Sequence, residues 1–197
     1  MRILAHARQI FQDRGFRKVT VEEICAGLGM SKRTFYRHFS DRDELAVAVT
    51  TEALGRHAPQ IIENLTSPGP VDAILKTHFD LLVNRVLSGV STQLLADVQI
   101  FLPDVWERVE RVRAGVVRIL AELLLRGQRD GTIRPEIDPV AAGRLIQAVV
   151  NSMANPSFLM EQGLTVNQFA RTFQNLLLYG VLQPIPGESS HEKKGPQ

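Results

Sequence analysis

Apolar residues recur at steps of three and four positions along almost the whole chain of 197 residues. This spacing places them on one face of a helix, whereas a half-buried strand would need strict alternation. Alternating β-branched runs between turn residues are nearly absent. The pattern therefore predicts an all-α fold of about nine helices.

The composition excludes several other classes of protein. Apolar residues make up 44% of the chain, and Cys25 is its only cysteine, so there is no internal disulfide framework and no multi-cysteine zinc site. No run of about 18 uncharged apolar residues occurs, and charge appears early at Arg2 and Arg8. We therefore expect a cytoplasmic protein with no signal peptide and no membrane partner.

Charge is distributed unevenly along the chain. The net charge is +2, but residues 1–50 hold nine Lys or Arg and six Asp or Glu, a charge of +3, and the remainder carries 14 against 15, a charge of −1. A basic beginning on a near-neutral body is typical of a nucleic-acid-binding domain, although a difference of this size also arises by chance.

A helix, a short turn and a second short helix follow one another after residue 19. Thr20 and Glu23 have the spacing of a capping box, Gly29 ends the helix that they begin, and Ser31 starts a third helix expected over residues 31–39. A fourth helix begins at Asp41, and whether Pro59 kinks or ends it stays open. This order is that of a helix-turn-helix, in which the second helix enters the major groove.

The predicted third helix is cationic, and no acidic residue lies between Glu23 and Asp41. Phosphates repel carboxylates and release counterions to incoming Lys and Arg, so this window suits contact with DNA. The side chains expected to face outward are Lys32, Arg33, Thr34, Tyr36, Arg37 and His38.

The rest of the chain divides into helices at clear breaks. Residues 67–70 form a linker, and Asn155 with Pro156 is expected to end a helix. The proline- and glycine-containing residues 183–197 are expected to be a disordered tail. The further helices are expected near residues 71–88, 92–101, 104–127, 138–154 and 165–182.

A resemblance rests on residues spread over about the first quarter of the chain. They are Phe11, Arg14, Gly15, Phe16, Thr20, Val21, Ile24, Gly27, Leu28, Gly29, Met30, Ser31, Thr34, Phe35, Tyr36, Phe39, Arg42 and Leu45. In type and spacing this set resembles the DNA-binding domain of TetR-family regulators. The resemblance implies a DNA-binding domain over residues 1–45 and an effector-binding and dimerisation domain over residues 46–182.

The resemblance also implies roles for individual residues. Thr34, Tyr36 and Arg42 are expected to hold phosphates of double-stranded operator DNA, although Arg42 replaces the usual lysine of the family. Bases are then expected to be read by Lys32, Arg33, Arg37 and His38. Thr20 and Ser31 complete the predicted DNA-binding set.

Two DNA-binding domains must reach successive major grooves roughly 34 Å apart, which requires a homodimer. The resemblance implies that the last two helices form its interface, and the alternative is that their apolar residues belong to the core of one chain. The predicted interface residues are Leu145, Ala148, Val149, Ser152, Phe169, Phe173, Leu176, Leu177 and Gly180.

The resemblance implies a pocket for a small-molecule effector between the central helices. We expect an apolar or amphipathic molecule of unknown identity, because few charged residues face that space. A histidine on an apolar stripe, such as His78, is also a common hydrogen-bonded core residue. The predicted lining residues are His78, Gln99, Trp106, Arg113, Asn151 and Phe158.

Two other functions compete with a repressor. An enzyme is disfavoured because the five histidines have no metal-binding spacing and no phosphate loop or Ser/His/Asp signature occurs, so no metal and no cofactor are expected. The second alternative is a helical ligand-binding or interaction module without specific DNA binding, in which the cations form a solvated face.

Overall fold

The computed structural model describes residues 2–88 and 90–181, and within them the chain forms ten α-helices and no β-strand. The all-α prediction is confirmed, and ten is close to the nine helices expected. The predicted tail, residues 183–197, lies outside the described residues. The helices are α1 Arg2–Arg14, α2 Val21–Leu28, α3 Lys32–Tyr36, α4 Arg42–Thr66, α5 Val71–Leu81, α6 Thr92–Phe101, α7 Pro103–Arg129, α8 Pro139–Met153, α9 Pro156–Glu161 and α10 Val166–Val181.

Helix starts follow the capping signals of the sequence. The Thr20 hydroxyl accepts the Glu23 backbone N–H at 3.2 Å, and the Glu23 carboxylate accepts the Thr20 N–H at 2.8 Å. Thr165 and Gln168 repeat this reciprocal pair before α10. Each pair satisfies N–H groups that the first turn of a helix otherwise leaves without partners.

Pro59 lies within a helix and Pro156 begins one. Pro59 lies inside α4, which continues to Thr66, so the helix does not end there. Asn155 and Pro156 follow the end of α8 at Met153, as expected, and Asn155 also starts the short helix α9 by accepting the Phe158 N–H at 3.1 Å. An Asn cap followed by proline at the first helical position is a start signal, since proline has no N–H to lose there.

The end of α5 is wider than an α-helix. One helix was expected over residues 71–88, but Leu82–Val86 form a π-helical turn in which the Leu87 N–H reaches the Leu82 carbonyl at 2.8 Å. Such turns are rare, and they occur frequently at functional sites. This one adjoins the cavity described below.

Three apolar clusters hold the helices together. The first packs α1, α2, α3 and the start of α4 into a unit that we call the head, residues 2–49, and it also takes in Val98, Leu102 and Val105 from α6 and α7. The second joins α4, α5, α7, α8 and α10, and the third joins the π turn to α8, α9 and α10. Residues 50–181, here called the body, therefore contact the head through α6 and α7.

No helix within residues 2–88 and 90–181 combines the length and the apolar character that a bilayer crossing requires.

Candidate DNA-binding surface and ligand cavity

The head holds α3 from behind through aromatic side chains. Phe35 is fully buried and its ring meets Phe39 at 5.9 Å between centroids, within the same cluster as Ile24 of the bracing helix α2. Gly29 makes the turn between α2 and α3 with φ of 61°, a conformation that side chains disfavour. The geometry is that of a helix-turn-helix, although α3 spans only Lys32–Tyr36 rather than residues 31–39.

The opposite face of α3 carries cations and a tyrosine into solvent. Arg33, Arg37 and His38 are exposed, and Tyr36 retains 54% of its surface. Within residues 2–88 and 90–181, neither Arg33 nor Arg37 forms an ion pair with a carboxylate. These two guanidinium groups are therefore available to a polyanion without first breaking a contact.

Lys32 is exposed but is paired across the turn. Its ammonium contacts the Glu22 carboxylate of α2. This pairing raises the pKa of Lys32 and lowers the pKa of Glu22. Contact with a phosphate or a base would require Lys32 to leave Glu22.

Ser31, Thr34 and Thr20 lie at helix starts, where their hydroxyls serve the backbone. The Ser31 hydroxyl accepts the Thr34 N–H at 3.1 Å and lies 3.0 Å from the Thr34 hydroxyl. Thr20 forms the cap of α2 described above and remains exposed. The hydroxyls of all three residues are therefore already hydrogen-bonded.

Arg42 points back into the head. Its Nη1 donates to the carbonyl oxygens of Arg17 and Val19 at 3.0 and 3.2 Å, and its guanidinium lies 5.9 Å from the Phe16 ring centroid. The side chain therefore braces the α1–α2 loop. Its Nε and Nη2 also contact the Asp43 carboxylate at 3.4 Å, so a phosphate would have to displace Asp43 or use the donor that these contacts leave free.

The residues predicted for the dimer interface divide into two groups. Leu145 and Leu176 are 68% and 70% exposed, and Ala148 and Gly180 are exposed with them on α8 and α10. Val149 and Ser152 are half-buried.

Three other residues of that prediction are engaged within the chain. Leu177 lies in the second core cluster, and Phe173 packs edge-on against Phe79 with 6.0 Å between ring centroids. Phe169 packs in the same manner against Phe158 at 6.1 Å. The structure does not bring these three to the exposed face, because the inner side of α10 covers the core.

A cavity of about 280 Å³ lies within the body. Its wall is formed by side chains from α4, α5, α6, α7, α8, α10 and the π turn, and nearly all of them are apolar. Of the six residues predicted to line it, His78, Trp106 and Arg113 do so.

The structure does not bring Gln99, Asn151 and Phe158 to this cavity. Gln99 and Asn151 are exposed, and the Asn151 side chain accepts a hydrogen bond from Gln147 at 2.8 Å. Phe158 packs on Phe169 in the third core cluster. The three were predicted from the family resemblance, which does not fix which neighbour each helix face meets.

Sequence reasoning missed the inner face of α4, which contributes six side chains to the wall. A spacing of three and four positions between small and apolar residues was the available signal. The residues concerned are Thr50, Ala53, Leu54, His57, Ala58 and Ile61.

Two histidines on the wall differ in their surroundings. His78 is 1% exposed, its Nδ1 has no hydrogen-bond partner within the described residues, and burial lowers its pKa to about 4. Burial, followed by the nearby charges of Arg56, Arg8 and Arg85, lowers the pKa of His57. His78 is therefore uncharged at neutral pH.

Asp97 of α6 joins the body to the head. Its carboxylate is buried and accepts the backbone N–H of Arg17 and the side-chain amide of Gln93, both at 2.8 Å. Gly15 permits this approach, because a Cβ there would lie 2.5 Å from an Asp97 oxygen. Since Leu95 on the same helix lines the cavity, α6 contacts both the head and the cavity wall.

Comparison with known protein families gives a match in the head. Residues 3–58 match the family model described as "Bacterial regulatory proteins, tetR family". This segment contains α1, α2 and α3 and extends into α4.

Curated relatives and a solved structure extend the likeness to most of the chain. The fatty acid metabolism regulator protein of Bacillus subtilis is 20% identical over 185 residues, which are 92% of this chain and 94% of that protein. The HTH-type transcriptional repressor KstR2 of Mycolicibacterium smegmatis is 27% identical over 150 residues, which are 74% and 72% of the two chains. The crystal structure of PfmR, a TetR-family transcriptional regulator from Thermus thermophilus, shares the fold with a TM-score of 0.64 and 22% identity, over 91% of this chain and 98% of that one.

Proposed function

We propose that this member of the TetR family of DNA-binding transcriptional regulators acts in the cytoplasm as a homodimeric repressor, which a small apolar molecule releases from a palindromic operator. In this proposal the protein binds the operator and the small molecule and catalyses no reaction. The observation that supports this most directly is the outward face of α3, where Arg33, Tyr36 and Arg37 stand in solvent while Phe35 anchors the helix. A short helix so held is suited to the major groove.

The exposed side chains divide into two roles on DNA. Tyr36 and Thr34 bind phosphates, which position the head without reading sequence. Arg33 and Arg37 read base edges, because a free guanidinium can bond to a guanine in a bidentate manner. Lys32 joins them by exchanging Glu22 for DNA, and Arg42 supports the α1–α2 loop while offering its remaining donors to a phosphate.

A second copy of the chain covers the exposed face of α8 and α10. Leu145, Leu176 and Tyr179 are large apolar or aromatic side chains, each more than two-thirds exposed, and Ala148 lies beside them. Helices that pack face to face in this manner form a four-helix seam between two chains. The dimer then carries two heads to one face of the DNA.

The mass in solution tests the dimer. Leu176→Arg is expected to convert the protein into a monomer at micromolar concentration and to weaken operator binding. Met160→Arg is the matched control, since Met160 is 61% exposed on α9, away from this face. A wild-type protein that is strictly monomeric at micromolar concentration would remove the dimer from the proposal.

Release by a ligand follows from the helices that the two sites share. The start of α4 lies in the head core and its middle lines the cavity, and α6 links the cavity to Arg17 through Asp97. A ligand that binds better to one arrangement of these helices shifts the dimer toward it, and the spacing of the heads no longer fits the operator. Unchanged operator affinity at a saturating concentration of a bound ligand would refute release.

Salt dependence and competition test DNA binding itself. Binding to an operator selected from random duplexes is expected to weaken steeply with added salt and to resist nonspecific competitor. Arg33→Ala is expected to lower affinity, whereas Arg111→Ala, which removes an exposed charge from α7, leaves it unchanged. Equally weak binding to every duplex would instead favour an interaction module without specific DNA recognition.

A further inference from the structure

Apart from the Trp106 indole, the polar side chains of the cavity wall are Thr50, His57, His78 and Arg113, and Thr50 and Arg113 already have partners. The Thr50 hydroxyl donates to the Ala46 carbonyl at 2.9 Å. The Arg113 guanidinium contacts the Glu110 carboxylate and lies 5.9 Å from the Trp106 ring centroid, although its Nε has no partner within the described residues. The charge of Arg113 is therefore balanced inside its own helix.

His78 differs from these groups because its ring is almost wholly buried on the cavity wall and its Nδ1 makes no hydrogen bond within the described part of the chain. Its nearest aromatic neighbour, Phe79, is 5.2 Å away between ring centroids and offers no strong acceptor. Leaving a buried polar atom without a partner costs free energy. Because Nδ1 has almost no accessible surface, a ligand becomes its partner only if the imidazole turns this nitrogen toward the cavity, and binding then recovers that free energy.

The charge state of His78 limits what the partner is. Burial lowers the pKa of His78 to about 4, so at neutral pH the imidazole is uncharged, with one nitrogen that donates and one that accepts. An uncharged imidazole offers no ion pair to a carboxylate, and the apolar wall gives no counter-ion to an ammonium group. Burying an unpaired ion in such a site is far more costly than burying a hydroxyl.

We propose that the cavity selects uncharged, largely apolar molecules that carry a hydroxyl or carbonyl group, and that His78 is the residue that recognises this group by a hydrogen bond. This inference rests on the proposed function, because it takes the cavity to be the effector site. It goes further by naming the chemical class of the effector and the side chain that distinguishes it.

A set of probes with one alkyl chain and different ends tests the chemical class. The probes are 1-octanol, 1-chlorooctane, octanoate and octyltrimethylammonium, added to the full-length protein. Trp106 is the only tryptophan and lies on the cavity wall, so its fluorescence reports occupancy. We expect 1-octanol to bind at least about 10-fold more tightly than either ion, and equal or tighter binding of an ion would overturn the proposal.

Variants at His78 test the hydrogen bond. His78→Leu is expected to lower 1-octanol affinity about 5- to 10-fold, the usual net worth of one such bond, while 1-chlorooctane affinity stays within about 2-fold. His78→Gln keeps a donor and an acceptor and is expected to restore most of the preference for the alcohol. Gln99→Leu, a matched change of an exposed polar residue outside the cavity, is expected to leave both affinities unchanged.

The outcomes separate this inference from the proposed function. If no probe binds, or if His78→Leu weakens the alcohol and the chloride equally, the role of His78 is refuted while operator binding by the head is unaffected. If 1-octanol binds through His78 but leaves operator affinity unchanged, recognition by His78 stands and release by a ligand fails.

Discussion

Apart from Thr20, the DNA-binding face takes its side chains from one short stretch, residues 31–42, whereas the cavity wall draws on six helices and a π turn between Thr50 and Phe173. The first surface is exposed and cationic. Each of its helices begins with a capping side chain that accepts the backbone N–H of the residue three positions later. The second is buried and almost wholly apolar. On the proposed function, specificity rests on free charges in the head and on the shape of the cavity and the uncharged imidazole of His78 in the body.

The two regions nevertheless share structural elements. Residues of α4 lie in the head core up to Val49 and on the cavity wall from Thr50, and α6 carries Leu95 on the wall two residues before Asp97. The recognition surface is thus attached to helices that also form the cavity wall. This difference can be tested by perturbing one region and measuring the other.

The largest expected effect is that of Phe35→Ala in the head. Phe35 of α3 is fully buried in the apolar cluster of the head. Truncating such a ring removes about 3–5 kcal/mol from the free energy of unfolding. Urea unfolding and operator binding measure the loss, with Tyr36→Phe, a change at an exposed ring, as the control for stability. If the head is separable, the variant loses operator binding yet keeps 1-octanol binding, and loss of both would show that the two regions fold as one unit.

The next effect concerns acid stability in the body. The pKa of His78 is about 4 in the folded chain and 6.5 when exposed. Below pH 6.5, His78 therefore binds a proton in the unfolded chain while it stays unprotonated in the folded chain. Stability is therefore lost as the pH falls from about 6.5 to 4, by up to about 3 kcal/mol.

Substitution of His78 removes this loss. As the pH falls, the free energies of unfolding of His78→Leu and His78→Gln are expected to rise relative to that of the wild type. The difference in urea midpoint at each pH measures this. At pH 7.5, His78→Leu is also expected to be more stable than wild type by about 1 kcal/mol, because it removes a buried atom without a partner. Parallel curves for wild type and both variants would show that His78 is protonated normally in the folded protein.

A smaller effect distinguishes roles on the DNA-binding face. Arg37→Ala is expected to relax preference at one base position by about 1–3 kcal/mol, whereas Tyr36→Phe weakens binding on all sequences alike. Affinities for the operator and for its single-base variants measure both. Arg42→Ala is expected to lower urea stability as well as affinity, since Arg42 braces the Arg17 and Val19 carbonyls. Identical base profiles for Arg37→Ala and Tyr36→Phe would contradict the division of roles.

The head could be predicted from the sequence because its determinants are local. The Thr20 cap, the Gly29 turn and the buried Phe35 each follow from residues within a few positions of one another. The inward turn of Arg42 could not be predicted in this way, because its acceptors belong to a loop 23 and 25 residues away.

The cavity could be predicted only in part, for the same physical reason. His78 lies on a clear apolar stripe and was found, but Gln99 and Asn151 were placed without knowing which helix covers each face. Phe173 was assigned to a dimer interface and instead lines the cavity. Periodicity shows that a residue of α10 faces inward, and only the packed neighbours decide what it meets there.

The smallest expected effect lies where the two regions meet, at Asp97. Asp97→Asn keeps one acceptor oxygen for the Arg17 N–H, and Gln93 can turn its amide to accept from the new side chain, so most of the hydrogen bonding survives. Only the charge is lost, and we expect the free energy of unfolding to fall by about 1 kcal/mol. The control is Asp13→Asn, the same change at an exposed position of α1.

The informative measurement for Asp97→Asn is transmission between the regions. A weaker link between α6 and the α1–α2 loop is expected to reduce the fold-change in operator affinity that 1-octanol produces, while leaving the affinity of the protein for 1-octanol itself unchanged. If 1-octanol binds to Asp97→Asn and lowers its operator affinity by the same factor as it does for Asp13→Asn, α6 does not carry the signal. In that case the cavity would act on the head through α4 or α7, since both helices line the cavity and enter the head core.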